Sequence, residues 1–234
     1  MSHYTVAVIH HPHQEIEELL APYSENLEVP KYISYTKAQA IEHVRKYWKD
    51  VDGLSDEECY AKMAADYEDD MKDSDGNLYS TYNPQSKWDW WTEGGRWGGL
   101  LRRKSDGEEC DSEEIGNLDF AMDDAEFKRA ARFWDVVVEG APQKDGEEIR
   151  SIWTPEYYKS HYGTKEKYAK AMASFNTYAV LTPDGVWHAP GEMGWWGCSS
   201  ESGDEMQDWN EHYMERFIES ADPNDILTIV DCHI

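Results

Sequence analysis

Apolar and polar positions alternate along this chain in short stretches, and two of the most apolar stretches lie near its ends. Residues 4–9 (YTVAVI) and 226–230 (ILTIV) are brief, β-branched runs, the pattern of strands buried on both faces. Residues 14–20 suit a short helix that stops at Pro22. Thr36 offers an N-cap to a helix with Ala38, Ile41, Val44, Arg45 and Trp48 at helical spacing. Ser55 and Glu58 make a capping box that opens a helix predicted to run to Met71, with Tyr60, Met63, Ala64 and Tyr67 on one face. Asp75-Gly76-Asn77 turns the chain into an extended stretch over residues 78–82.

Further along, Asp123 and Glu126 form a second capping box, predicting a helix to about Arg132, and residues 133–138 (FWDVVV) read as a strand. Thr154-Pro155 starts a short helix that closes near Gly163. A better helix follows over 164–175, with Tyr168, Ala171 and Met172 facing inward. Residues 177–181 and 186–188 flank Pro183-Asp184-Gly185 as a hairpin. Met206, Trp209, Tyr213, Phe217 and Ile218 mark a helix over 204–220, which Asp222-Pro223 ends. Strand and helix at the front, then hairpin, helix and strand at the back, predict an α+β fold. Its frame would be a ferredoxin-like split βαβ pairing the N- and C-terminal strands as antiparallel neighbours. Residues 1–50 would begin that frame and residues 151–234 complete it. Between them, 51–150 would hold an acidic helix and a large Trp/Gly-rich insertion.

With 234 residues and no apolar run near eighteen, the chain is long enough for a real core and carries no candidate membrane span. The start, MSHYTVAVIHHPHQ, shows no secretory pattern, and the four cysteines form no CxxC pair, which fits a reduced cytoplasmic chain.

Charge changes the picture more. Forty-eight acidic against twenty-two basic residues leave −26, which excludes a general phosphate-binding surface and so direct binding of a nucleic acid. One net charge per roughly 400 Å², against about 100 Å² on duplex DNA, is also too dilute for mimicry of nucleic acid unless the carboxylates cluster. They do cluster in sequence, over 50–75, 105–127 and 201–225. Solvated faces that keep the chain soluble are one reading. The other is a surface for a basic partner, with Asp66, Glu68, Asp69 and Asp70 in the first stretch and Glu108, Glu109, Asp111, Glu113 and Glu114 in the second as candidates.

Between the first two acidic stretches the polarity reverses. Residues 82–104 hold Lys87, Arg96, Arg102, Arg103 and Lys104 against Asp89 and Glu93, with four of the eleven tryptophans within ten residues. Glycine pairs flank Arg96-Trp97 and permit positive φ and close backbone approach. Arginine beside indoles can stack on a planar group while its fork grips an anion. The candidate ligand-binding residues are therefore Asn83, Lys87, Trp88, Trp90, Trp91, Arg96 and Trp97, joined by the Gly-flanked pair Trp195 and Trp196. The ligand class is nucleotide-like. Stacked indoles stiffening an insertion, with Arg96 paired to an acid, would look the same in sequence. The spacing is not that of a phosphate loop.

Other motifs carry less. His10, His11 and His13 follow the first strand as weak metal candidates, but their spacing matches no metalloenzyme pattern. Asp231-Cys232-His233 looks like a thiol dyad, yet in a continuing strand Cys232 and His233 point to opposite faces. Asp73-x-Asp75-Gly76 fails as a calcium loop, because Met71 and Tyr82 fall where acids are needed. No cofactor motif is present and no catalytic residue can be named.

The string NPQSKWDWWTEGGRWGGLL together with the ending ILTIVDCHI resembles a group of bacteriophage- and prophage-encoded proteins of uncharacterised activity. The resemblance covers about a third of the chain and brings no catalytic role with it. It implies the bacterial host cytoplasm and a small accessory protein made during infection. Together with the acidic stretches it leads to the expectation of a non-enzymatic inhibitor of a host factor, such as one of anti-phage defence, that engages a basic surface of that factor. Binding or processing of a nucleotide-like small molecule is the alternative, and a virion structural or assembly role a further one.

Overall fold

The computed structural model describes residues 2–194 and 198–234. By its contacts the chain divides into two units, Met1–Ser24 with Lys87–Ile234, and Glu25–Ser86. These units cut across the three segments expected from composition, because the first strand belongs with the C-terminal half and the inserted piece is 25–86 rather than 51–150.

In chain order the larger unit begins with β1 (His3–His10) and α1 (Ile16–Leu20). The smaller unit contributes β2 (Tyr32–Tyr35), α2 (Lys37–Tyr47), α3 (Asp56–Ala64) and β3 (Leu78–Ser80). The larger unit resumes with β4 (Trp90–Glu93), β5 (Leu101–Arg102), β6 (Glu109–Cys110), β7 (Ser112–Glu114) and α4 (Asp124–Val137). Then come α5 (Pro155–Tyr162), α6 (Lys165–Ala173), β8 (Ala179–Leu181), β9 (Trp187–His188), α7 (Gly203–Tyr213) and β10 (Ile226–His233). No helix among the described residues is long and apolar enough to cross a membrane.

The fold is α+β around a six-stranded mixed sheet of order β4-β10-β1-β8-β9, with β7 also on β10. The first and last long strands are antiparallel neighbours, His3 opposite His233 and His10 opposite Ile226. The expected split frame would place a strand between β1 and the strand that follows its helix. Instead β8 lies directly beside β1 and parallel to it, with β9 folded back outside. Both faces of the central pair are covered. Ala7, Ile9, Leu227 and Ile229 pack with Trp209, Tyr213 and Phe217 on one side. Tyr4, Val6, Val8, Val230 and Cys232 pack with Leu20 on the other. The period of two in β1 and β10 sets this division, and burying each aliphatic side chain contributes roughly 1.5–3 kcal/mol.

Several expectations are corrected. Residues 133–138 are not a strand. The helix capped by Asp123 continues to Val137, since Ala130, Trp134 and Val138 lie at helical spacing and share a core with Tyr168 and Ala169 of α6. That packing outweighs the β propensity of FWDVVV. Met172, expected inside, is 38% exposed.

In the smaller unit, α3 carries the expected capping box of Ser55 with Glu58, and the expected N-cap Thr36 of α2 forms one as well, with Gln39. They bury Ala40, Val44, Cys59 and Met63 against Leu78. However, α3 stops at Ala64 rather than Met71. Asp66, Glu68, Asp69 and Asp70 would place negative charge at the negative end of the helix, and the chain re-forms only a short turn over Asp69–Met71.

Candidate functional site

The register of β1 and β10 puts His3 opposite His233, so their rings share a face of the sheet. Asp231, two residues earlier, lies on that face too. β4 then adds Trp90 opposite His233 and Thr92 opposite Asp231. Farther along the same face stand the core residues Ala7, Ile9, Leu227 and Ile229. A polar cluster thus occupies one end of an otherwise apolar surface.

Its hydrogen bonds form two matching units. His3 Nδ1 lies 2.8 Å from Asp231 Oδ1, while Asp231 Oδ2 accepts the Arg96 backbone N–H at 3.0 Å. His233 Nδ1 lies 2.6 Å from Asp89 Oδ1, which also accepts the Trp90 backbone N–H at 2.7 Å. An ionised carboxylate only accepts, so each ring donates from Nδ1 and keeps Nε2 for another purpose. No hydrogen bond to either Nε2 is present among the described residues. The two rings meet edge to face, centroids 4.9 Å apart. The Trp90 indole stacks along His233 at 5.1 Å and 15° and touches His3 edgewise. Asp231 and His233 side chains are only 3% and 5% exposed, whereas Trp90 is 43% exposed.

The glycine-rich block explains itself here. Gly94 and Gly95 adopt φ +64° and +54°. A Cβ on Gly95 would lie 2.5 Å from the Asp231 Cβ, and one on Gly94 would collide with the Asp111 carboxylate. Asp111 in turn accepts the Gly99 N–H at 2.5 Å. The missing side chains let the backbone close over two carboxylates, and that closure carries Arg96 to Asp231. The Arg96 side chain itself is exposed and enters no ion pair among the described residues.

The four clustered indoles do not converge. Trp88 donates to the Leu20 carbonyl at 3.2 Å and, with Trp91, packs on the opposite face of the sheet from Trp90. Trp97 packs on the core beneath α7. Lys87 pairs with Glu192 at 3.3 Å. Asn83 is buried in the smaller unit, its Oδ1 accepting the Gln85 N–H at 3.0 Å. Trp195 and Trp196 lie outside the described residues. Of the expected set, Trp90 and Arg96 reach the cluster; His3, Asp89, Asp231 and His233 were not among the expected ligand residues. The D-x-H spacing on a strand, which places both side chains on one face, was the available signal. Cys232 sits on the opposite face, fully buried, and burial pushes its thiol up.

The other histidines are differently placed. His10 is buried, with Nδ1 3.1 Å from the His11 carbonyl and Nε2 3.2 Å from Thr228 Oγ1. His11 Nδ1 lies 2.6 Å from Asp225 Oδ1, and His13 stacks on His11. Among the described residues no three His, Cys, Asp or Glu side chains are arranged to hold a metal. The groove of about 750 Å³ lined by Trp187, His188 and α7 has its Arg216 closed onto Asp208 at 2.7 and 3.0 Å.

The acidic candidates divide sharply. In the larger unit Asp111 accepts the Gly99 N–H of the glycine turn, and the Glu109 side chain lies close against Gly99. Glu113 binds Asn117 and Arg103 and is held below the ordinary glutamate range, first by Asn117. Glu114 binds Asn117, and Glu108 sits 3.8 Å from Arg103. Asp111 and Glu113 are thus used internally, while Glu108 and Glu109 stay exposed. In the smaller unit Asp66, Glu68 and Asp70, with Glu25 and Glu28, line a groove of about 600 Å³ beside Tyr67, Tyr79 and Tyr82. Asp69 pairs with Lys72 at 3.1 Å.

Compared with known proteins, the chain matches no family model, no curated protein and no solved structure.

Proposed function

We propose that the larger unit binds a small nucleotide-like anion at the His3–His233 cluster. The observation that carries this is the pair of imidazoles beside the exposed Trp90 indole, each fixed at Nδ1 by a carboxylate and each without an Nε2 partner among the described residues, with the backbone of Arg96 bound to Asp231 and its side chain exposed. Trp90 offers one ring face to a planar base, and Arg96 offers a fork for phosphate oxygens. Each of the two carboxylates is already engaged by an imidazole and a backbone N–H, which lessens its repulsion of an anion on a strongly acidic chain. The segments KWDW, GGRW and VDCHI, on which the bacteriophage resemblance rests, meet here. The test is a titration of tryptophan fluorescence with nucleoside mono- and diphosphates. Quenching is expected, lost in Trp90→Phe and weakened at least tenfold in Arg96→Ala. Silence across the panel overturns the reading.

A second reading keeps the chain as a non-enzymatic accessory protein acting in a bacterial host on a factor with a basic surface. The groove of Glu25, Glu28, Asp66, Glu68 and Asp70 favours it, because these carboxylates surround exposed tyrosine rather than salt-bridging arginine. Capture of a basic protein should fall steeply between 50 and 300 mM salt, since exposed charges are screened, and in the triple variant Asp66→Asn, Glu68→Gln, Asp70→Asn. Salt-insensitive capture contradicts it.

A further inference from the structure

We infer that the His3–His233 pair is catalytic and that its substrate class is a short ribonucleotide phosphodiester; this rests on the binding reading above.

Breaking such a bond by its own neighbouring hydroxyl requires one proton to leave the 2′-oxygen and another to reach the departing 5′-oxygen. The cluster supplies two groups for those two transfers. Both are imidazoles on the same sheet face, both have their tautomer set by a carboxylate at Nδ1, and their centroids are 4.9 Å apart. The two Nε2 atoms are therefore no farther apart than that distance plus one ring width, which leaves both within reach of a single phosphoryl group. Strand positions rather than loops hold them, and Asp231 is itself anchored by the Arg96 N–H, so the pair is preorganised. Cys232, the nearest sulfur nucleophile in sequence, lies on the other face of the sheet. The chemistry thus falls to proton transfer rather than to a covalent enzyme intermediate.

The step balances without a further reactant. The neutral imidazole takes the proton of the 2′-hydroxyl, the 2′-oxygen forms a bond to phosphorus, and the bond from phosphorus to the 5′-oxygen breaks. The imidazolium gives its proton to that leaving oxygen, producing a 2′,3′-cyclic phosphate and a free alcohol. Water then opens the cyclic ester with the two rings in exchanged roles, which restores both protonation states. Arg96, whose backbone N–H binds Asp231 and whose side chain is exposed, would meet the charge on the non-bridging oxygens, and Trp90 would hold a base. The net charge of −26 opposes a long polyanion, so the fitting substrate is a dinucleotide rather than an RNA chain.

The experiment incubates the full chain with adenylyl-(3′→5′)-uridine and, separately, with its 2′-deoxy analogue, following products by chromatography and binding by tryptophan fluorescence. The inference predicts adenosine 2′,3′-cyclic phosphate plus uridine from the ribo substrate and binding without cleavage of the deoxy analogue. His3→Gln and His233→Gln should each lose a factor of about 10²–10⁴ in turnover while retaining the far-ultraviolet spectrum of the parent. Quenching by both dinucleotides with no product overturns the inference and leaves the binding reading standing. Neither quenching nor product overturns both. Product formed equally by the two histidine variants, or cleavage of the deoxy analogue at the same rate, also overturns it.

Discussion

The two ends of the β1–β10 pair carry the same residue types to opposite effect. At one end, His10 makes a closed chain. Its Nδ1 donates to the His11 carbonyl and its Nε2 accepts from Thr228, whose oxygen lies 2.7 Å from Ser112. Both ring nitrogens are used, so this histidine is a satisfied core residue. His11 beside it has a carboxylate partner, Asp225, but it sits on a turn with its side chain 47% exposed, and no carboxylate holds His13 among the described residues. At the other end His3 and His233 are held on strands, and among the described residues each uses one nitrogen and leaves the other without a partner. The contrast teaches that a buried histidine is read by what remains after its structural hydrogen bonds are counted, not by its burial or by the number of histidines nearby.

Exchanging the substitutions sharpens that contrast most. His233→Gln should abolish ligand-dependent quenching and turnover while changing the midpoint of thermal unfolding little. His10→Ala should leave ligand response intact but cost about 1–3 kcal/mol, by orphaning buried partners, measurable by urea unfolding. The reverse pattern would dissolve the distinction between the ends.

Next in size is the glycine turn. Gly95→Ala puts a methyl group against Asp231 at a positive φ, and should cost about 2–4 kcal/mol together with ligand response. Gly185→Ala, at φ +78° with nothing within 4 Å of the added carbon, should cost only about 1 kcal/mol and leave the ligand response unchanged. Equal effects by calorimetry would show that the turn does not close over Asp231.

The smallest effect lies away from both ends. Arg132 and a backbone N–H of Lys144 hold Glu147 well below the ordinary glutamate range, at about 2. Its folded-state value is depressed, so its contribution is full above the ordinary glutamate range and disappears as pH falls toward about 2. Glu147→Gln should flatten that acid limb of stability slightly and leave ligand response untouched; an unchanged limb would remove the tether from the account.

The sequence made the terminal strands legible because their apolar runs are too short and too β-branched for anything else, and their antiparallel pairing followed. The capping residues Thr36, Ser55 and Thr154 placed helix starts well, since each supplies a side-chain acceptor to an orphan N–H. Local signals failed where packing decided. FWDVVV joined a helix through Trp134, and four adjacent-looking indoles parted because Trp90 and Trp91 face opposite sides of a strand. The site was half legible. Asp231 and His233 share a face by spacing alone, but only β10 lying between β1 and β4 joins them to His3 and Asp89, residues more than 140 positions away. A single chain offers no pattern for that.

The most direct test is a nitrogen-15 spectrum of the histidine rings, recorded with and without adenosine monophosphate. The account predicts that His3 and His233 both carry a proton on Nδ1, and that their Nε2 signals move on ligand addition while those of His10 stay fixed. Protons on Nε2 in both rings, or a ligand response confined to His10, His11 and His13, would contradict it.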